Sequence, residues 1–68
     1  MELENIGMTL KDLRLEKGVT LEEVAQSIGS SKSLLSKYER GVHEPGLRPL
    51  LNLCTYYNVS LDWLIMRR

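Results

Sequence analysis

An all-α fold of five short helices is what this 68-residue sequence predicts, and three observations predict it. Apolar residues recur at three- and four-residue spacing along the chain while strict alternation is absent, so no strand or hairpin is expected. Hydroxyl residues stand just ahead of most of these segments, and Gly or Asn just behind them, as helix N-caps and left-handed C-caps do. The composition, 43% hydrophobic with no Phe and one Trp, suits a small helical core of Leu, Val and Ile. At this length one domain over residues 1–68 is expected, of a size that only just buries enough surface to fold alone. A single small core or an obligate dimer follows.

The first helix is read from Thr9, with Asp12 three residues on as the acidic partner of an N-cap, through LKDLRLEK to Gly18. Leu10 and Leu13 face inward, and Met8 and Leu13 are spaced as a hydrophobic staple. The second begins at Leu21, because Thr20 and Glu23 spell a capping box, and Val19 with Val24 repeats the staple. Leu21, Val24, Ala25 and Ile28 line one face over about two turns, and Gly29 stops it. About three residues later Ser31 caps the third segment, in which Leu35 and Tyr38 share one stripe while Lys32, Ser33, Ser36 and Lys37 occupy the rest, until Gly41. VHEPG is a loop. The fourth helix starts near Leu47 with Pro49 in its first turn, where the missing amide hydrogen costs nothing, and carries a wide apolar face of Leu50, Leu51, Leu53, Cys54 and Tyr57 up to Asn58. Ser60 caps a short last helix through SLDWLIM, with Leu61, Leu64 and Ile65 as its buried set and Val59 and Leu64 as a third staple. Asp62 near its start and Arg67 and Arg68 at its end suit the helix dipole.

Thr20 to Gly41 therefore spells two short capped helices joined by a tight glycine-containing turn, with one face built for burial and the other for polar contact. That is the signature of a helix-turn-helix, whose second helix enters a DNA major groove. Nine basic and nine acidic residues leave no net charge, but they are unevenly spread. Residues 29–48 hold Lys32, Lys37, Arg40 and Arg48 against Glu39 and Glu44, whereas residues 1–28 hold six acids against three bases. Positive charge thus gathers around the second helix of the motif, and few phosphate contacts per protomer, with modest and salt-sensitive affinity, are expected.

Other classes are excluded by what is missing. One His (His43) and one Cys (Cys54) cannot build a catalytic triad, a disulfide or an ordinary structural zinc site, and no glycine-rich phosphate loop is present, so neither an enzyme nor a metal or cofactor is expected. Cys54, on an apolar helix face, is read as a small core residue, and His43 as a surface residue able to add a phosphate contact when protonated. The opening MELENIG is too short and polar for a secretion signal, and no apolar run approaches the roughly 20 residues of a membrane span, so a cytoplasmic location is expected.

With LKDLRLEKG, TLEEVAQSIG, SKSLLSKYERG, EPG and VSLDWLI in this order and spacing, the chain resembles the Cro/CI-type (phage-repressor-like, XRE family) helix-turn-helix proteins from about Met8 to Ile65. The resemblance implies a compact five-helix domain of the lambda-repressor-like DNA-binding type, with helices 2 and 3 forming the motif over residues 20–40. It implies an ion pair between Arg14 and Glu39 that fixes the recognition helix, residues 32–39. It also implies that Ser31, Lys32, Ser33, Leu34, Ser36 and Lys37 meet base edges or nearby phosphates, and that Arg40 and the backbone around Gly41 and Val42 grip phosphate. Lys32 or Lys37 can donate to guanine O6 and N7, and the serines can pair with several bases. Four positions depart from the family: Leu21 where a polar residue, often Gln, is common; Leu34 on the outward part of the recognition helix; Ser30 in place of a small apolar turn residue; and Glu44 close to the phosphate side.

Two functions are expected on this basis. The first is a sequence-specific transcriptional regulator, repressor-like, that binds double-stranded operator DNA as a homodimer, with Trp63 and Met66 on the short last helix as candidates for the dimer surface. The second is a protein-interaction module that uses Leu21 and Leu34 to modulate a partner repressor or another protein, a reading favoured by the zero net charge and the two apolar substitutions.

Overall fold

The computed structural model describes residues 3–66, and those residues form five helices: α1 (Leu3–Lys17), α2 (Leu21–Ile28), α3 (Lys32–Arg40), α4 (Leu47–Tyr57) and α5 (Leu61–Met66). The expected positions of Arg67 and Arg68 lie outside them. Each helix contributes to one core. Ile6 and Leu10 come from α1, Val24 and Ala25 from α2, Leu35 and Tyr38 from α3, Leu50, Leu53 and Cys54 from α4, and Leu64 from α5. α1 lies mainly against α3, α2 bridges α3 and α4, and α5 closes the far side against α4 and α1.

Local chemistry sets most of the boundaries. The hydroxyls of Thr20, Ser31 and Ser60 accept hydrogen bonds from the amides of Glu23, Leu34 and Trp63 at 3.1, 3.1 and 3.0 Å, which satisfies one orphan donor at the start of α2, α3 and α5. At the other ends, Gly29, Gly41 and Asn58 take left-handed backbone with φ of 68°, 74° and 57°, so that their amides turn back onto carbonyls of the last turn. Asn is the side chain best suited to that region after Gly, which is why α4 can stop without a glycine. Val24 and Leu64 are fully buried, with Val19 and Val59 packed on the same core, so two of the three predicted staples stand.

The first helix differs from its sequence reading. Thr9 is not a cap; it lies buried in the middle of α1, which starts six residues earlier at Leu3. Ile6 and Leu10 form an i, i+4 pair on the core side, and that burial carries the helix through Gly7 and past the hydroxyl that would otherwise mark a start. Met8 consequently points outward at 62% exposure and cannot staple anything. Two other apolar faces are narrower than expected. Leu51 on α4 and Ile65 on α5 are 43% and 41% exposed, because helices this short present only about one side to the core. Cys54 is buried and free, and burial pushes its thiol pKa up.

Candidate nucleic-acid interface

Successive residues of α3 are rotated by about 100° around the helix axis, so Lys32, Ser33, Ser36, Lys37 and Arg40 fall within an arc of about 140°. Lys32, Ser33, Lys37 and Arg40 are exposed and Ser36 is half-buried, whereas the opposite arc carries buried Leu35 and Tyr38. This division is why α3 can dock on the core and still present one continuous polar face. Ser31 stands at the start of that face. Its oxygen already accepts from Leu34 N, which leaves its O–H as a donor toward a phosphate.

Leu34 does not belong to the outward face. It sits at the edge of the apolar arc, half-buried against the core cluster, and Leu21 at the start of α2 is half-buried there as well. Spacing alone assigns the inner stripe to Leu35 and Tyr38; the stripe is wider than two residues and takes in Leu34.

α3 is tied at its C-terminal end. Arg14 Nε donates to Glu39 Oε2 at 2.8 Å and its Nη2 to Glu39 Oε1 at 3.2 Å, a two-pronged pair whose side chains are only 15% and 10% exposed. The hydrogen bond to Glu39 also raises the Arg14 pKa, against a smaller opposing effect of burial. Arg14 Nη1 reaches a third element, the carbonyl of Val19 at 3.2 Å, one residue before the cap of α2. That contact had no sequence signal, since its acceptor is backbone. Tyr57 lines the apolar space beneath Glu39, and burial first, then the Glu39 charge, pushes its hydroxyl pKa well above its usual range. After α3 the chain turns through Gly41, and the exposed His43 ring lies 5.7 Å from that of Tyr38.

Charge now reads differently from the net of zero. Glu39, the acid within α3, spends its charge on Arg14, so the outward arc holds Lys32, Lys37 and Arg40 with no acid of α3 among them. The arrangement is a cationic, hydroxyl-bearing helix face of the kind that contacts phosphates and base edges. Among the described residues no group of three or more His, Cys, Asp and Glu is placed to hold a metal ion, and no helix is long and apolar enough to cross a membrane.

Comparison with known proteins agrees with this geometry. A family model described as Helix-turn-helix matches residues 10–64. The chain is 38% identical over 61 residues to the HTH-type transcriptional regulator ImmR of Bacillus subtilis (strain 168), covering 90% of this chain and 48% of that protein. It is 36% identical over 56 residues to the cryptic phage CTXphi transcriptional repressor RstR of Vibrio cholerae, covering 82% of this chain and 50% of that one. It therefore spans about half the length of these two curated relatives. Among solved structures, the clp gene regulator ClgR from C. glutamicum superposes with a TM-score of 0.86 at 36% identity, over 96% of this chain and 85% of the other. The match of the family model over most of the chain, with α2 and α3 in the expected places, identifies this chain as a member of the helix-turn-helix family.

Proposed function

We propose that the chain acts as a DNA-binding transcriptional regulator of the repressor type, occupying a short pseudo-palindromic operator as a homodimer in the cytoplasm. The observation that carries this reading is the outward arc of α3, where Ser33, Ser36 and the cations Lys32, Lys37 and Arg40 share one side of a helix whose other side is anchored in the core. Ser31 adds a hydroxyl at its start, and Arg14 with Glu39 fixes its end. In a dimer two such helices enter adjacent major grooves about one DNA turn, roughly 34 Å, apart. The exposed Trp63 and Met66 on α5 are suited to the contact between protomers. Regulation then works by occupancy of a promoter. The names of the relatives, a transcriptional regulator and a phage repressor, support the same reading.

A role as modulator of a partner protein has less behind it. It depends on Leu21 and Leu34 as exposed apolar anchors, and both are half-buried against the core.

The test is binding to fluorescent duplex from the gene's own upstream region, at about 50 and 200 mM salt, against scrambled duplex as competitor. Sequence-preferring, salt-weakened binding is expected. Lys37→Ala is expected to lower the affinity by roughly 1–3 kcal/mol if Lys37 reads a base, with an unchanged urea midpoint because the residue is exposed. Unaltered affinity in that variant would remove Lys37 from the interface, and equal binding to both duplexes would remove the operator reading.

A further inference from the structure

Gly7 lies buried inside α1 with ordinary helical backbone, a position where Ala is the better helix former. Helix propensity therefore does not account for a glycine there. Space does. A Cβ at residue 7 would stand 2.5 Å from the carbonyl oxygen of Tyr38 and 2.6 Å from that of Glu39. Both obstacles are backbone in the last turn of α3, so neither can swing aside as a side chain would. The Tyr38 carbonyl is also engaged at 3.1 Å by the amide of Gly41, which caps that turn.

Gly7 and Arg14 are seven residues apart, which places them on the same side of α1 and about 10.5 Å apart along it. Both meet the end of α3, Gly7 through bare backbone contact and Arg14 through the ion pair with Glu39. Two separated contacts on one helix fix an orientation where one would only fix a distance. Lys37 and Arg40 flank the residues that are held in this way, and they carry the cations of the outward arc at that end.

We propose that Gly7 is a positioning residue for the recognition helix: by letting α1 approach the Tyr38 and Glu39 carbonyls, it sets how α3 presents Lys37 and Arg40 to DNA. This rests on the DNA-binding reading given above. A methyl group at residue 7 forces the last turn of α3 away from α1, tilting the polar arc while the residues on it stay the same. Discrimination between sequences suffers more than general attraction to phosphate, because base contacts need aim and charge does not.

The experiment compares Gly7→Ala with the unaltered protein, using circular dichroism, amide chemical shifts and the ratio of affinities for operator and scrambled duplex. The expected result is a helical protein whose shift changes centre on residues 37–42 and whose ratio falls about tenfold, the size of one lost base contact. A folded variant with the ratio intact overturns the proposal. If Gly7→Ala is unfolded alone, duplex DNA is titrated in to restore helix signal by mass action. Operator then loses its normal advantage over scrambled duplex if Gly7 sets aim and keeps it if Gly7 only stabilises the fold; a variant that no duplex restores also makes Gly7 a requirement of folding alone, against the proposal. Should the unaltered protein prefer no duplex, the operator reading fails separately. The amide shifts then decide: changes centred on the end of α3 support its placement by Gly7, and changes spread evenly over the core or absent from α3 overturn it.

Discussion

Arg14 shows how one side chain connects three elements. Its guanidinium binds both oxygens of Glu39 at the end of α3 and the Val19 carbonyl at the approach to α2, while its own backbone belongs to α1. An exposed Lys–Glu pair is worth little, but this pair is largely withdrawn from water and doubly hydrogen-bonded, so the cost of breaking it is set by the carboxylate left behind. Arg14→Ala is expected to lower stability by about 1–3 kcal/mol in a urea melt, and Arg14→Lys to recover only part, since an ammonium cannot reproduce the two-pronged geometry. A melt of Arg14→Ala that coincides with the unaltered protein would reduce the pair to a surface contact. The two charged residues were visible in the sequence through a family resemblance, whereas the Val19 carbonyl was not, because every residue has one. The half-buried position of Leu34 is hidden from the sequence for a related reason. Its side chain is apolar in either reading, and only the packing of α3 on the core shows which way it leans.

The helices follow a repeated grammar of hydroxyl caps in front and left-handed residues behind, and where that grammar operates the sequence was easy to read. Thr20, Ser31 and Ser60 cap as expected, and Gly29, Gly41 and Asn58 terminate as expected. α1 escaped because it breaks the grammar twice: a hydroxyl residue, Thr9, is buried mid-helix, and Gly7 lies inside rather than after the helix. Gly7 meets the backbone of α3 and Thr9 is buried, and neither circumstance is encoded by local spacing. The caps have a measurable consequence at α3, the helix proposed to read DNA. Ser31→Ala is expected to cost about 1 kcal/mol of stability and to speed hydrogen exchange at the Leu34 amide, whose partner it removes. Loss of stability without any change at that amide would place the effect of Ser31 outside the cap. Because the same hydroxyl can donate to phosphate, Ser31→Gly is the better variant for separating the two roles: Gly is nearly as good a cap but offers no donor.

At the scale of the molecule, the zero net charge and the cationic face are compatible because the charges are sorted by the fold. Asp12 and Glu16 lie on α1 and Glu22 and Glu23 on α2, Glu39 is absorbed by Arg14, and Lys32, Lys37 and Arg40 remain together on the outward side of α3. The uneven spread was legible in the sequence, but the removal of Glu39 from the balance needed the geometry of its pair. On the proposed DNA-binding reading, the outward face of α3 itself offers three cations per protomer, whatever the molecule's total charge. Each phosphate neutralised contributes about −0.9 to the slope of log affinity against log salt, so three contacts predict a slope of about −2.7 per protomer and about −5.4 for a dimer. Between 50 and 200 mM salt that amounts to a loss of roughly 40-fold for one protomer's contacts and roughly 1,800-fold for two. Replacing Lys32, Lys37 or Arg40 singly by Ala in both protomers should flatten the dimer slope by about two for each residue that touches phosphate, and should leave it unchanged for a residue that touches only a base. A dimer slope of about −1.8 or shallower in the unaltered protein would mean that at most one of the three cations of each protomer meets a phosphate, and the polar face of α3 would then have to be assigned to another partner.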